Sequence, residues 1–167
     1  MKIYRIIPDP TAPELVLEDG LTERLIGDSV IPLSPNAPFK GSVERLVDWT
    51  QFYRVGSHAF ALSEEAWDQC EAMYYALREN SIEFPGIRTA VGDFAVIHPL
   101  QFLPPSEDPS QICDLKYAGS IFRIQSRPPQ EVFCLEGLAV PDDEIRRAYT
   151  TYGFTGLLFE EVWCGVG

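Results

Sequence analysis

Prolines at positions 8, 10, 13, 32, 35 and 38 constrain the fold of this chain more than any other feature. Each lacks a backbone N–H and fixes φ, so none suits a helix interior or a central strand. The stretch 8–40 therefore excludes a long helix and reads as an irregular arm laid over a domain. Before it, Lys2 to Ile7 reads as a short strand. After it, Gly41 to Phe52 reads as a short helix, with Ser42 as N-cap and Val43, Leu46 and Val47 as the buried stripe.

The rest of the chain is patterned more regularly. Ser63 is a good N-cap, and Glu64 and Glu65 suit the positive end of a helix dipole. The run from Glu64 to Glu79 holds no Gly or Pro and reads as one helix. Ala66, Trp67, Cys70, Met73, Tyr74 and Leu77 fall on one side of it. Glu64, Asp68, Glu71 and Glu79 fall on the other, with Tyr75 inside that acidic stripe. These five residues are the candidate partner contacts, since a tyrosine among charges is a common interface anchor. A merely solvated helix face is the alternative.

Ile87 to Val91 and Phe94 to Phe102 read as a hairpin turning at Gly92-Asp93, with Gly at the first turn position. Pro99 places the second strand at an edge or breaks it. Gly119 to Gln125 and Glu131 to Leu135 read as two further strands, and Gly156 to Trp163 as a last one. Asp142 to Tyr152 reads as a second helix, with Ile145, Ala148, Tyr149 and Tyr152 on its apolar side. Gly153 follows as a left-handed C-terminal cap. Strands succeed one another directly, which favours α+β over a doubly wound fold. The expectation is a single domain over 1–167: a mixed, mostly antiparallel sheet, two main helices and the proline-rich N-terminal arm.

The chain has 167 residues, with 13 basic and 25 acidic side chains and a formal net charge of −12. Residues 61–120 carry 3 basic and 10 acidic groups, more than half of the net charge. Such a chain should repel nucleic acid and anionic membranes, because both need clustered Lys and Arg. No apolar run approaches the roughly 20 residues that span a bilayer. The start, Met1 to Asp9, is too short and polar for a signal peptide, so a cytoplasmic protein is expected. Cysteines at 70, 113, 134 and 164 show no Cys-x-x-Cys, and His58 and His98 are the only histidines. No zinc pattern can be assembled from them, and reduced buried thiols are expected.

Other chemical signatures are missing too. There is no Gly-rich phosphate loop, no Gly-x-Ser-x-Gly and no His-Glu-x-x-His, so no cofactor, metal or catalytic residue is assigned. His98 reads as a half-buried sheet residue. Cys113 or Cys134 beside a histidine remains a conceivable nucleophile pair. Glu160 and Glu161 point to opposite faces of a strand. Arg123 suits a structural salt bridge or an anion site.

Four segments stand in series: Phe60-Ala61-Leu62-Ser63-Glu64, Ile82-Glu83-Phe84-Pro85, Ile121-Phe122-Arg123-Ile124, and Gly153-Phe154-Thr155-Gly156-Leu157-Leu158-Phe159. The series resembles a bacterial immunity-protein family of polymorphic toxin systems, formerly a domain of unknown function. In that family a strand leads into a Leu/Val-Ser-Glu helix start. A Glu-Phe-x-Pro segment, an Ile-Phe-Arg strand and a closing Gly-x-x-Gly-x-x-Phe follow. The match spans residues 58–163 and leaves 1–57 unaccounted for; here Phe84 runs directly into Pro85. The shared residues are caps, turns and core positions. The resemblance implies a non-enzymatic protein that binds and neutralises a cognate toxin, naming neither the toxin nor the contacts. Many intracellular toxins attack nucleic acid and are basic, and an acidic surface can mimic phosphate and steer association with them. The alternatives are a small cytoplasmic enzyme with a Cys/His site and a plain adaptor domain.

Overall fold

The structure, a computed structural model, describes residues 1–18, 20–26, 33, 37–44, 49–70, 82–103, 121–124, 131–141 and 144–164. Its strands are β1 (Lys2–Pro8), β2 (Glu14–Leu17), β3 (Phe39–Glu44), β4 (Phe52–Val55), β5 (Ala59–Ser63), β6 (Ile82–Glu83), β7 (Gly86–Thr89), β8 (Gly92–Val96), β9 (His98–Pro99), β10 (Phe102–Leu103), β11 (Ile121–Ile124), β12 (Val132–Glu136) and β13 (Leu157–Cys164). The helices are α1 (Leu21–Ile26), α2 (Glu64–Gln69) and α3 (Ile145–Tyr152).

Six strands close into a barrel in the order β2-β3-β7-β8-β5-β4. Most of its pairs are antiparallel; closure depends on two parallel joins, β2 with β4 and β3 with β7. Leu15, Leu17, Tyr53, Val55, Ala61, Ile87, Phe94 and Val96 fill the interior, joined by Leu21 and Leu25 of α1. The proline-rich stretch therefore does not read simply as an irregular arm: it contributes β2 and α1 to the barrel. Residues 27–32 and 34–36 of it lie outside the described residues. The expected 41–52 helix is also corrected. Its start is the end of β3 and its last residue opens β4, while 45–48 lie outside the described residues. Space explains the strand: a Cβ on Gly41 would stand 2.8 Å from Ile87 Cγ2 and 2.9 Å from the Val16 carbonyl.

Beside the barrel lies a five-stranded sheet ordered β10-β11-β12-β1-β13, antiparallel except for β10 with β11. The two layers share the main core. Phe52, Phe60 and Leu62 of the barrel meet Tyr4, Ile6, Val132, Cys134 and Leu157 of the sheet, with Ala66 of α2 and Ile145 and Ala148 of α3. β5 is buried on both faces: Ala59 and Ala61 look into the barrel, Phe60 and Leu62 toward the sheet. The fold is thus mixed, mostly antiparallel and dominated by strands, as expected in outline.

Local signals are realised unevenly. The 87–102 hairpin exists, but it turns at Ala90-Val91, with Thr89 paired to Gly92; Gly92-Asp93 already belong to β8. The Thr89 hydroxyl explains the shift, since it accepts from Val91 N and donates to the Gly92 carbonyl. The strand does break before Pro99, and β9 pairs with β6 instead. β11 and β12 pair antiparallel as expected. α3 ends in a left-handed Gly153 at φ 66°, whose N–H bonds to the Thr150 carbonyl while Phe154 N–H bonds to that of Tyr149. That is the Schellman pattern. Gly156 is the other glycine of the closing motif. It holds φ 103°, and a Cβ there would stand 2.1 Å from the Phe52 carbonyl oxygen.

Candidate functional site

The acidic helix begins as the sequence predicts. Ser63 Oγ accepts the Ala66 N–H at 3.3 Å, and Glu64 and Glu65 occupy the first turn. Ala66 is buried, Trp67 is half-buried edge-on against Phe84, and Cys70 is buried. The helix is shorter than expected, however. It ends at Gln69, with Cys70 at φ −102° and ψ 85° and its N–H on the Trp67 carbonyl. That i→i−3 bond tightens the last turn and carries Cys70 into the core. Of the candidate contacts, Glu64 and Asp68 are exposed on α2. Glu71, Tyr75 and Glu79 lie outside the described residues, so the structure does not bring the five together. Glu65, which the stripe omitted, is exposed beside Glu64. None of Glu64, Glu65 and Asp68 forms an ion pair among the described residues.

The carboxylates of the five-stranded sheet are arranged differently. Arg5 bonds Glu131 and Glu160 on one face. Lys2 meets Glu161 at 2.9 Å on the other, where Arg146 of α3 bonds Glu136 and lies 4.2 Å over the Tyr4 ring. Tyr4 donates to Glu136 and Glu161. Glu160 and Glu161 do face opposite ways. Bonds to Glu161 and Tyr4 push the Lys2 amine up to about 12. A cavity of about 240 Å³ adjoins Arg5 and Glu131, with Ser57 and His58 on its wall.

A third cluster is buried. His98 is 1% exposed rather than half-buried. Its Nδ1 lies 2.5 Å from Glu83 Oε1, which also accepts the Leu33 N–H at 2.7 Å. Burial lowers the His98 pKa against the pull of Glu83, and the Arg123 charge lowers it further. A neutral imidazole donating from Nδ1 fits these contacts. Arg123, equally buried, donates from Nη2 to the Leu25 carbonyl at 2.6 Å, and burial pushes its pKa down to about 10. The cluster ties α1 and residue 33 of the barrel side to β6, β9 and β11. No short motif announces it; the histidine reaches Glu83 only because β6 and β9 pair.

Of the two nucleophile candidates, one lies among the described residues. Cys134 is fully buried in the core, and burial pushes its thiol up, the opposite of what a reactive thiolate requires. Cys113 lies outside the described residues. Cys134 is a buried free thiol, and Cys70 is buried as well. Among the described residues no group of three or more His, Cys, Asp or Glu is placed to hold a metal ion. No helix among them is long and apolar enough to cross a membrane.

Two exposed aromatics among the described residues were not read from the sequence. Trp49 is 68% exposed. Tyr152, expected on the apolar side of its helix, is 49% exposed, because α3 turns only Ile145 and Ala148 fully inward. No protein-family model matches the sequence, and no curated protein matches it.

Proposed function

We propose that this chain is a non-enzymatic immunity protein that binds and neutralises a cognate bacterial toxin within the cytoplasm. One observation carries the reading. Glu64, Glu65 and Asp68 stand exposed on α2 without an ion pair among the described residues, on a chain of net charge −12. Uncompensated carboxylates on a packed helix raise self-repulsion and steer a basic partner. The four-segment resemblance supplies the class of partner: a toxin, basic if its target is nucleic acid. The same charge disfavours direct binding of nucleic acid or anionic lipid.

The test is capture and relief. The full chain, tagged, is recovered from its native host and its partner identified by mass spectrometry. The partner is then expressed alone and together with the chain. The proposal expects growth arrest from the partner alone and recovery with the chain present. A harmless partner, or toxicity that the chain does not relieve, overturns it.

A further inference from the structure

The acids of α2 have aromatic neighbours. β4 and β5 pair with Phe52 opposite Leu62, and the Ser63 N–H extends that ladder to the Gln51 carbonyl at 2.9 Å. The residues before β4 therefore run beside the start of α2, and Trp49 lies there, 68% exposed. The chain just after it is held by hydrogen bonds. Gln51 Oε1 accepts from Thr155 N at 3.0 Å and from Thr155 Oγ1 at 3.2 Å. The hydroxyls of Thr50 and Thr155 meet at 2.8 Å, and Phe52 N donates to the Thr155 carbonyl. Tyr152 lies three residues before Thr155. Its ring stacks on buried Phe154 at 5.4 Å, and the residue is 49% exposed.

An exposed tryptophan is unfavourable in water, and large exposed apolar surface rimmed by polar groups marks contact sites. Trp and Tyr lead among interface hot spots, and both attract cations to their ring faces. A surface already fixed by hydrogen bonds loses little freedom on binding. Resting on the neutralising reading above, we propose that Trp49 and Tyr152, flanked by Glu64 and Glu65, form the surface that receives the partner. The occupant is a basic protein face presenting arginine or lysine side chains. Their head groups lie over the Trp49 ring and against the two carboxylates. Phosphate-bearing partners are disfavoured there by the same carboxylates.

The test uses the full chain in its native host with a benzophenone side chain replacing Trp49, Tyr152 or, as control, Val91. Val91 is 45% exposed on the β7–β8 turn. After irradiation, adducts are identified by mass spectrometry, and the purified complex is studied with Trp49→Ala. The proposal expects one basic protein captured from positions 49 and 152 and not from 91. It also expects Trp49→Ala to speed dissociation by about tenfold or more with an unchanged melting temperature. Capture of that protein from 91 alone, with dissociation unaltered by Trp49→Ala, overturns the surface and leaves the neutralising reading standing. An adduct to a second copy of the chain, to lipid or to nucleic acid also overturns the surface. If no basic protein is captured from any position or recovered with the tagged chain, both fail together.

Discussion

On the five-stranded sheet Glu131, Glu136, Glu160 and Glu161 each meet a cation, from Arg5, Arg146 or Lys2. On α2 Glu64, Glu65 and Asp68 face solvent with no ion pair among the described residues. Each of these carboxylates counts alike in the formal charge of the chain. They differ in what balances it. The sheet network joins strands far apart in sequence, as Arg5 does with Glu131 and Glu160, and its charge serves the fold. On α2 the first-turn Glu64 and Glu65 interact favourably with their own helix N-terminus, and with no cation paired to them or to Asp68 among the described residues their field reaches into solvent. Net charge alone does not separate these roles; pairing does.

The comparison can be broken at its seam. Gly156 lies where β13 meets the barrel through Phe52, so Gly156→Ala is expected to cost about 3 kcal/mol or more, since strained φ and a backbone clash add. Urea unfolding measures it, and an unchanged midpoint would show that the two layers are not held there. Gly153→Ala tests the same motif where a Cβ meets nothing within 4 Å. Only the left-handed φ penalises it, by about 1 kcal/mol.

Proton linkage sharpens the contrast between buried and exposed charge. The folded His98 pKa lies below its ordinary 6.5 because burial disfavours the cation. Its contribution is therefore fully present above pH 6.5 and lost as pH falls through the folded pKa. Stability should decline from pH 7 toward pH 5, and His98→Gln should flatten that part of the profile. An identical decline in the variant would place the titrating group elsewhere. The smallest effect is expected on α2: Glu64→Gln, Glu65→Gln and Asp68→Asn together should change stability by less than about 0.5 kcal/mol, since the dipole favours Glu64 and Glu65 in the first turn and opposes Asp68 in the last. Arg5→Met on the sheet should cost about 1 kcal/mol by itself, as it leaves Glu131 and Glu160 without their shared partner.

What was legible in the sequence was local. Ser63 and Gly153 act on their own turns, and each caps as read. The run containing Pro99 is interrupted at Ile97, one of the two outcomes a missing N–H allows. The barrel was not legible, because β2 with β4 and β3 with β7 pair across long stretches and no local pattern encodes a parallel join. Val43 read as one face of a helix for the same reason: 41–47 fits either period until Gly41 is seen wedged against Ile87. Of the candidate site, Glu64 and Asp68 were found from helical period. Trp49 was not, since a single tryptophan in a short polar stretch carries no periodicity. His98 was read as half-buried because its carboxylate partner lies 15 residues away on another strand.

The central claim is that the carboxylates of α2, unpaired among the described residues, steer a basic toxin, and association kinetics test it most directly. The captured partner is mixed with the intact chain, with the triple α2 neutralisation and with Glu131→Gln/Glu160→Gln, across a range of salt. The account predicts that the α2 variant associates about tenfold more slowly at low salt, with a flattened salt dependence, while the sheet variant associates like the intact chain. Equal association by all three, or slowing by the sheet variant alone, would contradict it.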